Sequence, residues 1–340
     1  MKEQLKHILA LTGCAVFALL PTSCIDEDNE DCGIDYNLTY DHRLITNMDD
    51  EIKKELVTAD EVELGKRLRE IITADVYREF GRDLDLSFYT DQARSYQQTM
   101  SMNADQASYD FYLPIEQYRH LAISNVANEP NISLTGETAL GSVKLEQIKA
   151  DTIDSYKVGI YTARKDLFEK GLKQSHYIPL YTTTDGAAIV IDPQGVETKS
   201  IKTYLTDLAD GFQVADSVFT FNSNPIVSCI NMADTGSNLI CQYGIGMPSR
   251  DVPMTRTPYD NVWENTYWEM RVYVTLPSGS ITENLLYVKV PLKAGNLEII
   301  KGKLRGDGTI VVDNNEVGVS TNLEWTPGGT YYPDFIVVNP

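Results

Sequence analysis

Between Trp268 and Val290 the chain alternates with the period of a β-strand, and this restricts its fold more than any other stretch. Trp268, Met270, Val272, Val274 and Leu276 are apolar, and Glu269, Arg271, Tyr273 and Thr275 stand between them. A period of two sends one set to a core and the other to the opposite face of a sheet. Pro277-Ser278-Gly279 then supplies a turn and Ile281 to Val290 returns, which predicts a hairpin. Short apolar runs recur elsewhere, broken by Gly, Pro, Asn and Asp. In the first half they are Tyr36 to Tyr40, Leu84 to Tyr89, Tyr109 to Leu113, His120 to Val126, Tyr156 to Thr162, Ile178 to Tyr181 and Ala187 to Ile191. Leu297 to Leu304, Thr309 to Val312 and Glu316 to Trp325 follow in the second. With 20 tyrosines besides, this is the texture of a mainly β protein.

One segment departs from it. Leu64, Leu68, Ile72, Val76 and Phe80 recur every four residues, with Val62 and Ile71 widening the stripe, so an amphipathic helix covering a sheet is predicted. Thr58 and Glu61 form a capping box at its start, and Gly81 marks its end. The turn cluster Asp192-Pro193-Gln194-Gly195 is the best place to divide the chain. It gives an N-terminal domain of residues 34–192, which carries the helix, and a C-terminal domain of residues 193–340. Cys229 and Cys241 flank a turn-rich stretch with Thr235 at its midpoint, so a symmetric hairpin sets them opposite each other. Such a pair forms either a disulfide, contributing roughly 3 kcal/mol by closing so short a loop, or two buried thiols on facing strands.

At the N-terminus, Lys2 and Lys6 precede an apolar run, Ile8 to Leu20, of about signal-peptide length and too short to span a bilayer. Thr22 and Ser23 then lead into Cys24. That order resembles a bacterial lipoprotein signal with a relaxed lipobox, Leu20 to Cys24, so residues 1–23 are expected to be removed and Cys24 to carry lipid such as palmitate. Leu11-Thr12-Gly13-Cys14 fits the lipobox pattern better, but it leaves only Ile8 to Leu11 as an apolar core, and length favours Cys24. Residues 24–33 contain the acidic run Asp26 to Asp31, a solvated tether by its composition. Behind a lipidated cysteine it resembles the export signal that sends Bacteroidetes lipoproteins to the outer face of the outer membrane.

The formal charge is −20, and −21 once Lys2, Glu3 and Lys6 are removed. A surface this acidic repels phosphates, and no basic cluster offsets it, which argues against nucleic acid as a partner. Catalytic signals are missing as well. His42, His120 and His176 are scattered, and the sequence has no HExxH, CxxC, GxSxG or phosphate-cradling glycine loop. No enzyme activity, metal or cofactor is expected. Asp234-Thr235-Gly236 and Arg305-Gly306-Asp307 spell known functional triplets, but tight turns needing glycine at φ > 0 account for them better. Asp49-Asp50-Glu51 lacks the spacing and glycine of a calcium loop. Asp151-Thr152-Ile153 and Asp216-Ser217-Val218 fit the O-glycosylation pattern of exported Bacteroidetes proteins, which makes Thr152 and Ser217 candidate modification sites.

The lipobox cysteine, the acidic tether, Cys32 to Tyr40 and the strand Leu84 to Tyr89 occur in an order that resembles the start of the Bacteroidetes fimbrial anchor family of fimbrillin-like lipoproteins. The ending, Val317 to Gly329, resembles that family too. The resemblance implies two transthyretin-like β-sandwich domains and a role in holding a surface fimbria and limiting its length. It also implies fimbrial subunits as partners, bound by strand donation, since open sheet edges accept strands. The long helix between the first two strands departs from the family pattern. In stalk subunits of related systems, proteolysis after a basic residue frees a groove near the first strand. Arg43 lies just beyond that strand here, so a tip or stalk subunit is the second expectation. A glycan-binding surface lipoprotein is the third; it would need an exposed aromatic platform, for which Trp263, Tyr267 and Tyr331 or Tyr332 are the candidates.

Overall fold

The computed structural model describes residues 33–44, 46–77, 83–100, 107–150, 152–168 and 171–323, and they are mainly β. The strands of the first half are β1 (Gly33–Arg43), β2 (Leu84–Thr90), β3 (Ala93–Met100), β4 (Ser108–Pro114), β5 (Tyr118–Ser124), β6 (Ile132–Thr135), β7 (Lys144–Gln147), β8 (Thr152–Asp154), β9 (Tyr161–Leu167) and β10 (Lys173–Thr182). Seven of these form one sheet in the order β3-β2-β5-β9-β10-β1-β4. That sheet curls until its ends meet. Phe88 on β2 lies 5.5 Å from Phe111 on β4, centroid to centroid, although four strands separate the two in the sheet. The space enclosed is filled by rings: Tyr36, Tyr40, Phe88, Tyr118 and His120 touch edge-to-face or stacked at 4.3–6.3 Å.

The second half supplies β11 (Asp185–Asp192), β12 (Ser200–Thr206), β13 (Gly211–Gln213), β14 (Val218–Thr220), β15 (Ile226–Ser228), β16 (Ile230–Asn231) and β17 (Ile240–Gly246). It continues with β18 (Met254–Arg256), β19 (Trp263–Thr266), β20 (Trp268–Thr275), β21 (Ile281–Val288), β22 (Leu297–Leu304), β23 (Ile310–Val312) and β24 (Val317–Asn322). A five-stranded sheet, β16-β17-β11-β22-β23, faces a six-stranded one, β24-β21-β20-β12-β15-β8. They approach so closely that a Cβ on Gly244 would meet Leu205 Cδ1 at 2.8 Å. The predicted hairpin is the β20–β21 pair, with Trp268 opposite Val288 and Thr275 opposite Ile281. Trp268, Met270, Val272 and Val274 point into this core and are fully buried.

Where the sheets change differs from the expected division at residues 192 and 193. β11 pairs with β17 and β22, so it belongs to the C-terminal sheets, and the change comes between Thr182 and Asp185. The turn at Asp192-Pro193-Gln194-Gly195 ends a strand of the second half. The first half also reaches across: β8 pairs with β15, and β7 pairs with β13 in a small sheet ordered β14-β13-β7-β6.

The helical segment is two helices, α1 (Met48–Glu55) and α2 (Ala59–Ile71). The capping box is as predicted, with Thr58 N–H donating to Glu61 Oε2 at 2.9 Å and Glu61 N–H to Thr58 Oγ1 at 3.4 Å. Leu64, Leu68, Ile72 and Val76 form the buried stripe, but Val62 is exposed. α2 does not continue regularly; it widens into a π-turn, Ile72–Val76. The expected end at Gly81, and Phe80, lie outside the described residues. Both helices pack on the C-terminal five-stranded sheet, not on the N-terminal one. Asn47 exchanges hydrogen bonds with the backbone of Leu297, Glu51 accepts from Ile299 N–H, Lys301 pairs with Glu61 at 3.1 Å, and Arg67 pairs with Asp234. The cause is legible in β11, where Gly186 to Ile191 is a continuous apolar run buried on both faces. Such a strand needs a layer on each side.

Candidate functional site

β1 begins two residues after the acidic run Asp26 to Asp31, and it lies inside the N-terminal sheet. It runs parallel to β10 from Asp35 opposite Lys173 to Arg43 opposite Tyr181, and antiparallel to β4 from Gly33 opposite Pro114 to Thr39 opposite Ser108. β4 takes no other sheet partner among the described residues. Ile34, Tyr36, Leu38 and Tyr40 are at most 1 % exposed, so the strand is bound by side chains as firmly as by its ladder. Full burial of such side chains contributes about 1.5–3 kcal/mol each. Arg43 is the last residue of β1 and does not lie beyond it, because the strand runs three residues past Tyr40. Its side chain is exposed, pairs with Asp41 at 2.6 Å and donates to the Tyr177 hydroxyl at 2.5 Å.

Histidines that are scattered in sequence meet in this aromatic core. His120 stacks on Phe88 at 4.3 Å, hydrogen-bonds the Tyr40 hydroxyl at 2.9 Å and contacts the Ser87 carbonyl at 3.1 Å. Burial pulls its pKa down to about 3, against the opposing bond to Ser87. His42 lies against Tyr161 and Ser124, and burial lowers it to about 4 against the charge of Asp41. These are packed, neutral imidazoles. Among the described residues, no group of three or more His, Cys, Asp and Glu side chains is placed to hold a metal ion.

A second feature lies on the outer face of the six-stranded sheet. The residues between the apolar positions of β20 do point outward, but Glu269 is buried beside Arg256 of the segment 254–266, and Arg271 is buried against Glu269. Trp263 stacks on Tyr287 at 5.9 Å with the rings 16° from parallel, and it sits so close to Gly318 that no Cβ fits there. Beneath this cover runs a polar chain. Arg256 pairs with Asp207, Arg271 donates to Glu269 at 3.1 Å, and the hydroxyls of Tyr273 (2.7 Å) and Tyr259 both reach Glu283. Burial raises the Glu269 carboxyl, and the charge of Arg271 opposes it. The other half of the same face is open. Tyr204 and Tyr273, in edge contact at 5.8 Å, wall a cavity of about 380 Å³ together with Ile226 and Ile281. Thr152, Ser200, Lys202 and Thr275 rim it, and Arg271 forms its floor. These residues come from five strands, and alternation alone gave them no more than a solvent-facing position.

Several other predicted positions are also placed. Cys24 and Tyr331 and Tyr332 lie outside the described residues. Cys229 and Cys241 are both free thiols. The register of β16 and β17 sets Ile230 opposite Tyr243 and Asn231 opposite Gln242, which carries Cys229 to the level of Gly244 and not of Cys241. The loop between is skewed by its own bonds, from Thr235 Oγ1 to the carbonyls of Ser237 and Leu239, both at 2.9 Å. Asp234-Thr235-Gly236 is a turn closed by Asp234 Oδ1, with Gly236 at φ +67°. In Arg305-Gly306-Asp307-Gly308 the glycine with positive φ is Gly308 at +86°, not Gly306. Thr152 is exposed on β8 and Ser217 is exposed in a turn at φ 56°. Trp263 and Tyr267 are half-buried, Trp263 under its contact with Tyr287, so neither forms an open platform.

No family model matches the chain, and no curated protein matches it. Solved structures do. A candidate adhesin from Bacteroides ovatus aligns with a TM-score of 0.52 at 9 % identity, over 87 % of this chain and 97 % of that one. The fimbrial anchor protein Mfa2 from Porphyromonas gingivalis gives 0.49 at 10 % identity, over 86 % and 98 %. A candidate polysaccharide-binding protein from Bacteroides thetaiotaomicron gives 0.48 at 10 % identity, over 84 % and 97 %. At such identities the likeness is one of fold.

Proposed function

We propose that this chain is a non-enzymatic cell-surface lipoprotein that anchors a fimbria to the outer membrane and limits its length. In this reading the lipid sits on Cys24, residues 24–33 are the tether, and the two halves are transthyretin-like β domains, the first a single curled sheet and the second a sandwich, whose edge strands bind fimbrial subunits by strand donation. The observation that carries it is the place of β1. The strand that follows the tether is paired on both sides and buries Ile34, Tyr36, Leu38 and Tyr40, so the membrane-attached end is built into the fold and cannot be drawn out alone. The overall fold shared with the Bacteroides ovatus candidate adhesin is compatible with a surface role. The test is a clean deletion, with cells and medium examined by electron microscopy. Filaments that are shed or abnormally long, reproduced by a Cys24→Ala strain, are expected. Filaments unchanged in number, length and attachment would sink the proposal.

One observation favours a second reading, as a tip or stalk subunit. Arg43 is exposed at the end of β1, and β4 has no other sheet neighbour among the described residues, so cleavage after Arg43 would leave a vacant lane between β10 and β4. Mass mapping of the surface-purified protein separates the two: an N-terminus at Leu44 supports the subunit, and a lipidated Cys24 supports the anchor.

A further inference from the structure

The open half of the outer face of the six-stranded sheet has a lining unlike the rest of the molecule. The chain carries a formal charge of −20, yet among the described residues the cavity is lined by Lys202 and Arg271 and by no carboxylate. The nearest acids named in its network, Glu269 and Glu283, are already held by Arg271 and by the Tyr273 hydroxyl. Exposed Lys202 gives this concave site a local positive charge, and Arg271, paired with Glu269, adds guanidinium donors, which together favour an anion there. The remaining lining is of two kinds. The hydroxyls of Thr152, Ser200 and Thr275 stand at the rim, and the rings of Tyr204 and Tyr273 with Ile226 and Ile281 form the walls. Hydroxyl donors beside aromatic and aliphatic faces suit a ligand that is polar at its edges and carries C–H groups on its faces. A lipid chain would leave the rim hydroxyls and Lys202 unsatisfied. The volume, about 380 Å³, is within the range of small-molecule sites, roughly 300–1,000 Å³.

The walls are also held in place. Arg271 is 4 % exposed and fixed by Glu269, while Tyr273 is fixed by Glu283, so neither has to be ordered by the ligand. We infer that this cavity binds an acidic sugar unit of a glycan, its carboxylate toward Lys202 and Arg271 and its ring against Tyr204 and Tyr273. This places glycan recognition away from Trp263 and Tyr267, and it does not depend on the anchoring role: the chain could fail as an anchor and keep this site.

Calorimetric titration of the detergent-solubilised full chain against oligomers of galacturonate, glucuronate and mannuronate, each beside its methyl ester, tests it. Saturable binding to at least one acid is expected, with the ester at least ten-fold weaker. Lys202→Gln and Tyr204→Ala should each weaken the acid at least ten-fold. Lys202 is exposed and has no part in the core, so its variant isolates the charge from folding. Silence against all three acids, equal binding of acid and ester, or full affinity in Lys202→Gln would overturn the inference. So would binding only of an extended peptide at the β8 edge.

Discussion

The two halves of this molecule build their interiors from different chemistry. The N-terminal half curls one sheet around rings, with Tyr36, Tyr40, Phe88, Tyr118 and His120 in mutual contact. The C-terminal half stacks two sheets and a helical cover around aliphatic side chains such as Ile189, Val190, Val272, Ile299 and Ile300. The difference reaches the ionisable groups. In the first half burial presses two imidazoles toward neutrality, beside carboxyls such as Asp85 and Glu129 that it presses toward protonation. In the second half, among the described histidines and carboxylates, it is carboxyls alone that burial shifts. Asp185 is fully buried, neither oxygen has a hydrogen-bond partner among the described residues, and burial raises its pKa well above the ordinary value. Glu298 is raised to about 7, first by burial and then by the charge of Glu51. His120 should therefore be an acid-sensitive point of the first half, and Glu298 a point of the second half relieved by acid.

The largest effect should come from Tyr40→Ala, which removes a buried ring and the hydroxyl bonded to His120. A loss of about 3–5 kcal/mol is expected. Hydrogen exchange should show protection falling at β1, β4 and β10 while β11 and β22 keep theirs; uniform loss would mean that the halves unfold as one and would break the comparison. Next is acid. The His120 pKa is depressed in the fold, so its contribution is full above about pH 6.5 and is lost as pH falls toward about 3. Between those limits stability should drop by about 1.4 kcal/mol per pH unit from this residue, and His120→Phe should flatten that limb of a denaturation series. Smallest is Glu298→Gln. The Glu298 pKa is raised in the fold, so its contribution is full below the ordinary carboxylate range and is lost as pH rises through about 7. With its partial exposure discounted, the variant should gain about 1–2 kcal/mol at pH 8 and nothing at pH 4. A gain at both would trace the effect to packing and not to charge.

The strands with the clearest period were the easiest to read. The β20–β21 hairpin, β22 and the Thr58–Glu61 cap stand where pattern and cap chemistry put them. β3 escaped because Ala93 to Met100 is largely polar and none of its residues is buried, so it carries no apolar alternation. The placement of the helices was hidden for a different reason. A stripe says that a helix must cover something, and only the two-sided burial of Gly186 to Ile191 says which sheet needed covering. The cavity was the least legible part. Thr152, Lys202, Tyr204, Ile226 and Arg271 are strangers in sequence, and what sets them apart is where residues 254–266 stop covering the sheet.

The seat of β1 also has a mechanical meaning. Its register spans nine positions with β10 and seven with β4. A pull on Gly33 directed along the strand shears both ladders at once, so their hydrogen bonds share the load and must fail together. A pull across the sheet would open them one by one, like a zip. Under the proposed anchoring role, a filament dragging on the N-terminal tether would load this fold in its strong direction. A single cut after Arg43, at the other end of the same strand, would leave β1 gripped only by its ladders and its buried side chains, a lashing that no longer runs through to the body it holds.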